Sequence, residues 1–137
     1  MALGCINENL YQFYETILRK VDLRGADLVK ADLRYADLTE ANLYRVALEL
    51  ANLVGADLSR TNLKRASLFQ ANLEGSVLQD TNLVETDLRY ANLKDTQLMG
   101  ANFSGYRVKG ACFTGAQGLT HLQKQWLKAN VALNITT

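Results

Sequence analysis

From Leu23 to Phe113 every fifth residue is large and apolar, through nineteen consecutive units without an insertion. Sixteen of these centres are leucine, and the others are Phe103, Val108 and Phe113. Two positions before the centre stands alanine, serine or threonine in sixteen of the nineteen units; the exceptions are Val21, Val46 and Tyr106. A period of five matches neither the helical nor the strand period. It suits a chain that turns a corner once per unit and points one large and one small residue inward on each side. Four such sides predict a coil of twenty residues, and stacked coils repeat at about 4.8 Å, the spacing of β-strands. The expected fold is an all-β solenoid of about five coils.

The residue before the centre is Asp or Asn in thirteen of nineteen units. Their short polar side chains hydrogen-bond to nearby backbone and tolerate turns. One column reads Asp22, Asn42, Asn62, Asn82, Asn102, which predicts an amide ladder between coils. Gly25, Gly55, Gly75, Gly100, Gly105, Gly110 and Gly115 all take the last position of a unit, as turn residues.

Units such as Ala26-Asp27-Leu28-Val29-Lys30, Ala31-Asp32-Leu33-Arg34-Tyr35 and Ala51-Asn52-Leu53-Val54-Gly55 give the chain a motif that resembles the pentapeptide-repeat family. The resemblance covers residues 21–115. It implies a right-handed, four-sided β-helix and a non-enzymatic, cytoplasmic character. Many known members are cyanobacterial. The best understood mimic duplex DNA and bind DNA gyrase, and others act in developmental signalling or as scaffolds.

A solenoid exposes its core at both ends, so caps are expected. Leu10, Phe13, Tyr14, Ile17, Leu18 and Val21 follow the spacing of an amphipathic helix, with Asn7 as N-cap, and predict a helix over 7–19. Thr120 with Gln123 forms a capping box that predicts a second helix over 121–130, its covering face carrying Leu122 and Trp126 with Leu127 beside them. Val131, Leu133 and Ile135 then alternate, predicting a short extended tail that packs on its own subunit or on another. The expected organisation is an N-terminal cap at 1–20, repeats at 21–115, and a C-terminal cap and tail at 116–137. The resemblance adds a homodimer through the C-terminal helix and tail as a further expectation.

The chain has 137 residues, a net charge of +1, 48% hydrophobic residues and no proline, which describes one packed domain rather than a disordered one. Cys5 and Cys112 are too few for a disulfide framework and read as free thiols. No apolar run approaches a membrane span. Met1-Ala2-Leu3-Gly4-Cys5 reads as no targeting signal, which favours the cytoplasm. The single histidine, His121, has no partner set for catalysis, and no clustered ligands suggest a metal or other cofactor. A filled tube also offers no cleft for an enzyme.

Outward residues sort onto the four sides. The side with centres Leu23, Leu43, Leu63, Leu83 and Phe103 carries Arg24, Tyr44, Arg45, Lys64 and Arg65 against Asp22 and Glu85 and has a net charge of +2. The side with centres Leu38, Leu58, Leu78 and Leu98 carries Asp37, Glu40, Asp57 and Asp80 against Arg60 and has a net charge of −3. A third side presents outward apolar residues, Val29, Leu50, Phe69 and Tyr90, as candidate partner contacts. A rigid rod with regular faces suits a protein-interaction or scaffold module. The alternative is a DNA-mimic modulator of gyrase or topoisomerase, which needs a more acidic surface than this. Nucleic-acid binding through the basic side is disfavoured by the near-neutral charge.

Overall fold

The computed structural model describes residues 12–135. Among them, eighteen parallel pairings join residues twenty apart, from Gln12 with Asp32 to Gln97 with Gln117. The chain is thus a β-helix of twenty residues per coil, with four columns of pairings up the stack. The unit 61–65 shows how each step closes. The Thr61 amide donates to Leu58 O across the turn, Asn62 N to Ala41 O in the preceding coil, and Leu63 N and Arg65 N to Asn82 O and Val84 O in the following one. The fourth amide, that of Lys64, donates to Asn62 Oδ1 at 3.1 Å. Where Asp or Asn precedes the centre, its side chain can therefore supply the acceptor that the main chain lacks.

The inward residues fill the tube. Every leucine centre from Leu23 to Leu98 is essentially inaccessible, as are the alanines that alternate with them. Threonine replaces alanine at no polar cost, because Thr61 and Thr81 both donate to Leu58 O, Thr86 donates to Leu63 O and Thr96 to Leu93 O. The amide ladder forms in pieces: Asn62 Nδ2 donates to Asn42 Oδ1 at 3.3 Å, and Asn92 Nδ2 to Asn72 Oδ1 at 3.1 Å.

The last residue of every unit from Glu15 to Gly115 has a left-handed φ, between about 54° and 74°. The turn class requires a positive φ at this place. Only seven of those positions are glycine; Tyr35, Leu50 and Tyr90 are among the rest. Glycine also serves a second purpose. A Cβ on Gly55 would strike the Tyr35 ring, one on Gly110 the Tyr90 ring, and one on Gly100 the Asp80 carboxylate. Side chains at this position fold down over the glycine of the next coil.

The N-terminal helix expected over 7–19 does not form in its described part. Gln12 pairs with Asp32 and Ile17 with Asp37, so the lattice begins by residue 12. Leu18 is buried, whereas Ile17 and Tyr14 of the proposed helical face are exposed. Phe13 and Leu18 lie in the same five-residue frame as Leu23, and backbone pairing to the next coil outweighs an isolated short helix, which is marginal alone. Residues 7–11 of that expectation lie outside the described residues. The lattice also extends past 115, to Gln117.

Helix α1 spans His121–Ala129 and begins with the expected capping box between Thr120 and Gln123. Its packing face differs from the expectation. Leu127 enters the core and is fully buried, whereas Leu122 is 75% and Trp126 38% exposed. Gln123 Nε2 reaches Ala101 O at 3.2 Å and sets that rotation. The tail returns to its own chain: Leu133 N donates to Ala111 O at 2.7 Å, Phe113 N to Leu133 O at 3.1 Å, and Gly110 N to Val131 O at 3.0 Å. The strand edge of the last coil is thereby partly paired.

Two glycines separate conformation from space. A Cβ on Gly118, at φ +85°, would lie 2.8 Å from Met99 Cα, whereas one on Gly25 meets nothing within 4 Å. Gly118→Ala is expected to destabilise by about 2–4 kcal/mol, and Gly25→Ala by only about 1 kcal/mol, both read from denaturant unfolding.

Candidate functional site

The outward positions of each unit are the two residues after the centre, and they stack into columns at the corners of the coil. The corner after centres Leu28, Leu48, Leu68 and Leu88 carries the apolar set. Phe69 and Tyr90 are in edge-to-face contact, with centroids 5.8 Å apart and an interplanar angle of 85°. Leu50 lies on the adjoining coil, its N–H donating to Phe69 O at 3.0 Å. The Arg89 guanidinium lies 5.3 Å from the Phe69 centroid and is held by Asp87 at 2.7 Å. Leu50 and Tyr90 are 47% and 48% exposed. Val29, half-buried, shares the column of Phe69, but Glu49 stands between them in the stack. Phe69 and Tyr90 are thus in direct contact, Leu50 lies one coil before Phe69 with Gln70 between it and Tyr90 in their column, and Val29 is set apart.

On the basic side, Arg24 makes a paired contact with Asp22, Nε to Oδ1 at 2.8 Å and Nη2 to Oδ2 at 2.6 Å. Arg65 binds Glu85 and reaches the Tyr44 hydroxyl at 3.3 Å. The Arg45 guanidinium lies 5.3 Å from the Tyr44 centroid. Arg45 and Lys64 enter no ion pair with another described residue. The acidic side is weaker than the sequence suggests. Because residues 12–20 join the lattice, Arg19 and Lys20 enter its columns, and its net charge becomes −1 instead of −3. Arg19 lies 3.8 Å from Asp37, and Lys20 and Arg60 lie 3.7 and 3.3 Å from Glu40. Asp57 accepts from Ser59 N at 2.9 Å, and Asp80 covers Gly100.

A surface that sequence reasoning missed lies at the far end of the stack. Phe103, Tyr106, Leu122 and Trp126, with Ser104, Gly105 and Gln123, line a cleft of about 330 Å³. Tyr106 takes a position that is small elsewhere in the stack. It fits because it meets α1 instead of another coil, stacking on Trp126 at 4.3 Å with Phe103 at 4.8 Å on its other side. Burial pushes its phenol pKa far up. The signal was present in the repeat, where Phe103 and Tyr106 both depart from its commonest residues. His121 is exposed at the start of α1. Half-buried Cys112 contacts Thr114 Oγ1 at 3.3 Å; burial pushes its thiol pKa up, and contacts with Thr114, Asn134 and the Lys94 charge bring it below the usual value.

A family model described as pentapeptide repeats matches eight copies over residues 12–45, 41–68 and 66–105. With that match and this β-helix, the chain belongs to the pentapeptide-repeat family. Among solved structures, it resembles the pentapeptide repeat protein Rfr23 from the cyanobacterium Cyanothece 51142, with 29% identity, a TM-score of 0.51, and coverage of 77% of this chain and 90% of that one. It also resembles QnrB1, a plasmid-mediated fluoroquinolone resistance protein, at 22% identity and TM-score 0.52, over 85% of this chain and 70% of that one, which is a likeness of fold. A pentapeptide repeat protein from the Arabidopsis thaliana thylakoid lumen matches at 29% identity and TM-score 0.46, over 93% and 82% of the two chains. No curated protein matches.

The paired carboxylates make stability depend on acid. Hydrogen bonds from Arg24, Arg34 and Arg65 hold Asp22, Asp32 and Glu85 below their usual values; burial pushes Asp87 up, but Arg89 outweighs it. The unfolded chain, with aspartates at the ordinary 3.8, takes up protons first on acidification. Their contribution is complete above that value and is lost as pH falls through the lower folded values. A pH series of thermal unfolding is expected to show a Tm that falls below about pH 4, and a shallower fall in Asp87→Asn.

Proposed function

We propose that this chain is a non-catalytic, cytoplasmic protein-interaction or scaffold module, acting without a cofactor through the outer faces of a right-handed, four-sided β-helix closed by α1 and the tail. The observation that carries this reading is the corner formed by Leu50, Phe69 and Tyr90. Two aromatic rings and a leucine stand half out of a lattice whose every coil is hydrogen-bonded to the next, so they need little ordering on contact. Aromatic anchors flanked by a fixed guanidinium are typical of residues that dominate a protein interface. Among the described residues no helix is long and apolar enough to cross a membrane, and the partner is a protein.

DNA mimicry of the gyrase-binding kind is the weaker reading. It needs a dense, uncompensated row of negative charge. Here Asp37 and Glu40 already face Arg19, Lys20 and Arg60, which leaves Asp57 and Asp80 as the uncompensated pair on that side.

The test is capture from lysate of the source cells with wild-type protein and a Leu50→Ser/Tyr90→Ser variant, followed by affinity measurement on the captured protein. Both substitutions are at exposed positions and leave the core intact. A partner bound about tenfold or more weakly by the variant is the expected result. A partner held equally by the wild type and the variant, or gyrase as the main capture, would overturn it.

A further inference from the structure

We infer that the corner from Arg45 to the aromatic cleft of α1 binds an extended acidic peptide that ends in an aromatic or large aliphatic side chain. The inference rests on the reading of the chain as a protein-interaction module but concerns a different corner from Leu50, Phe69 and Tyr90.

The β-helix places two features on one line. The positions after centres Leu43, Leu63, Leu83 and Phe103 stack as Tyr44 and Arg45, Lys64 and Arg65, Val84 and Glu85, then Ser104 and Gly105. The last two residues are walls of the cleft. Arg45 to Gly105 is three coils, or about 14 Å at about 4.8 Å per coil, which an extended peptide spans in four or five residues at about 3.3 Å each. The cleft offers an apolar seat of about 330 Å³, with Leu122 largely open and Trp126 38% open to solvent at its rim and Ser104 and Gln123 at its polar edge.

Charge selects the peptide. Arg45 and Lys64 carry no carboxylate among the described residues, so an incoming acid meets them without breaking a pair. The chain beyond Asp95 contains no Asp or Glu at all, whereas it contains Arg107, Lys109, Lys124 and Lys128. Val84 and Glu85 interrupt the basic row just before the cleft. A peptide can place a neutral residue there, whereas the regular phosphates of a nucleic acid would set a negative charge against Glu85. A second copy stacked end to end lacks the complement, because residues 12–35 carry five basic and four acidic side chains.

Trp126 is the single tryptophan and lines the cleft, so its emission reports occupancy directly. The probes are the peptide Phe-Gly-Asp-Glu-Asp-Glu, the same residues in reverse order, and the uncharged Phe-Gly-Asn-Gln-Asn-Gln, titrated into the full chain at low salt. One of the two acidic orders is expected to change Trp126 emission saturably. Affinity should weaken about tenfold in Arg45→Glu or Lys64→Glu and with added salt, and binding should be lost in Leu122→Asp. These three substitutions lie at outward positions, and circular dichroism confirms that each variant folds. Absence of a saturable change would overturn the inference. So would equal binding of the uncharged peptide, tighter competition by a single-stranded oligonucleotide, or self-association in sedimentation that Leu122→Asp abolishes, which would give the cleft to a second copy.

Discussion

In a unit with Asp or Asn before its centre the five amides have five different acceptors, and the architecture follows from that arrangement. In 61–65, one amide closes the turn, one reaches the coil before, two reach the coil after, and the last is taken by the unit's own Asn62 side chain. A buried or half-buried amide without an acceptor is costly. That cost explains why Asp or Asn recurs before the centre. It also agrees with the missing proline, which at four of the five positions of a unit would remove a donor that the main-chain ladder uses. The leucine core is then what makes the coils adhere, and the alanine or threonine beside each leucine keeps the tube narrow enough for neighbouring coils to pair.

Repeating one tight turn has a conformational consequence. Each unit must place its last residue at positive φ, and fourteen of the twenty-one positions from Glu15 to Gly115 do so with a side chain present. Left-handed backbone costs about 1 kcal/mol or more for such residues. It persists because four of the five amides in a unit are tied through main-chain bonds that no other conformation would satisfy. The same constraint aims the side chains. Tyr35 and Tyr90 lie over Gly55 and Gly110 one coil on, and Asp80 lies over Gly100. The backbone thereby sets the corner from which each outward aromatic or charged side chain leaves the coil.

How much of this is legible in the sequence depends on how far each pattern runs. The period of five continues through nineteen units and specifies the coil length, the inward residues and the Asn columns. The stretch 12–20 was misleading because Phe13, Tyr14, Ile17 and Leu18 satisfy a helical spacing while Phe13 and Leu18 also satisfy the five-residue frame; only pairing of Gln12 and Ile17 with the next coil decides between them. That misreading also removed Arg19 and Lys20 from the acidic side and overstated its charge. Of the outward apolar set, Phe69 and Tyr90 are in contact, whereas Glu49 between Val29 and Phe69 and Gln70 between Leu50 and Tyr90 become visible only when the columns are stacked. The cleft depends on the rotation of α1, which Gln123 and Leu127 set through contacts with the last coil. Spacing alone could not distinguish Leu127 from Leu122 and Trp126 as the residue that faces inward.

The central claim is that every coil is held to the next by the same main-chain ladder in a twenty-residue register. Hydrogen exchange resolved by residue in native conditions tests it most directly. The ladder predicts protection with a period of five along 61–95: four amides in each unit exchange slowly, and the one after the centre, bonded to a side chain as Lys64 is to Asn62 or lacking a main-chain acceptor as in Phe69 and Gln79, exchanges faster. Protection with a helical period, or slow exchange confined to a few separate segments, would contradict the account.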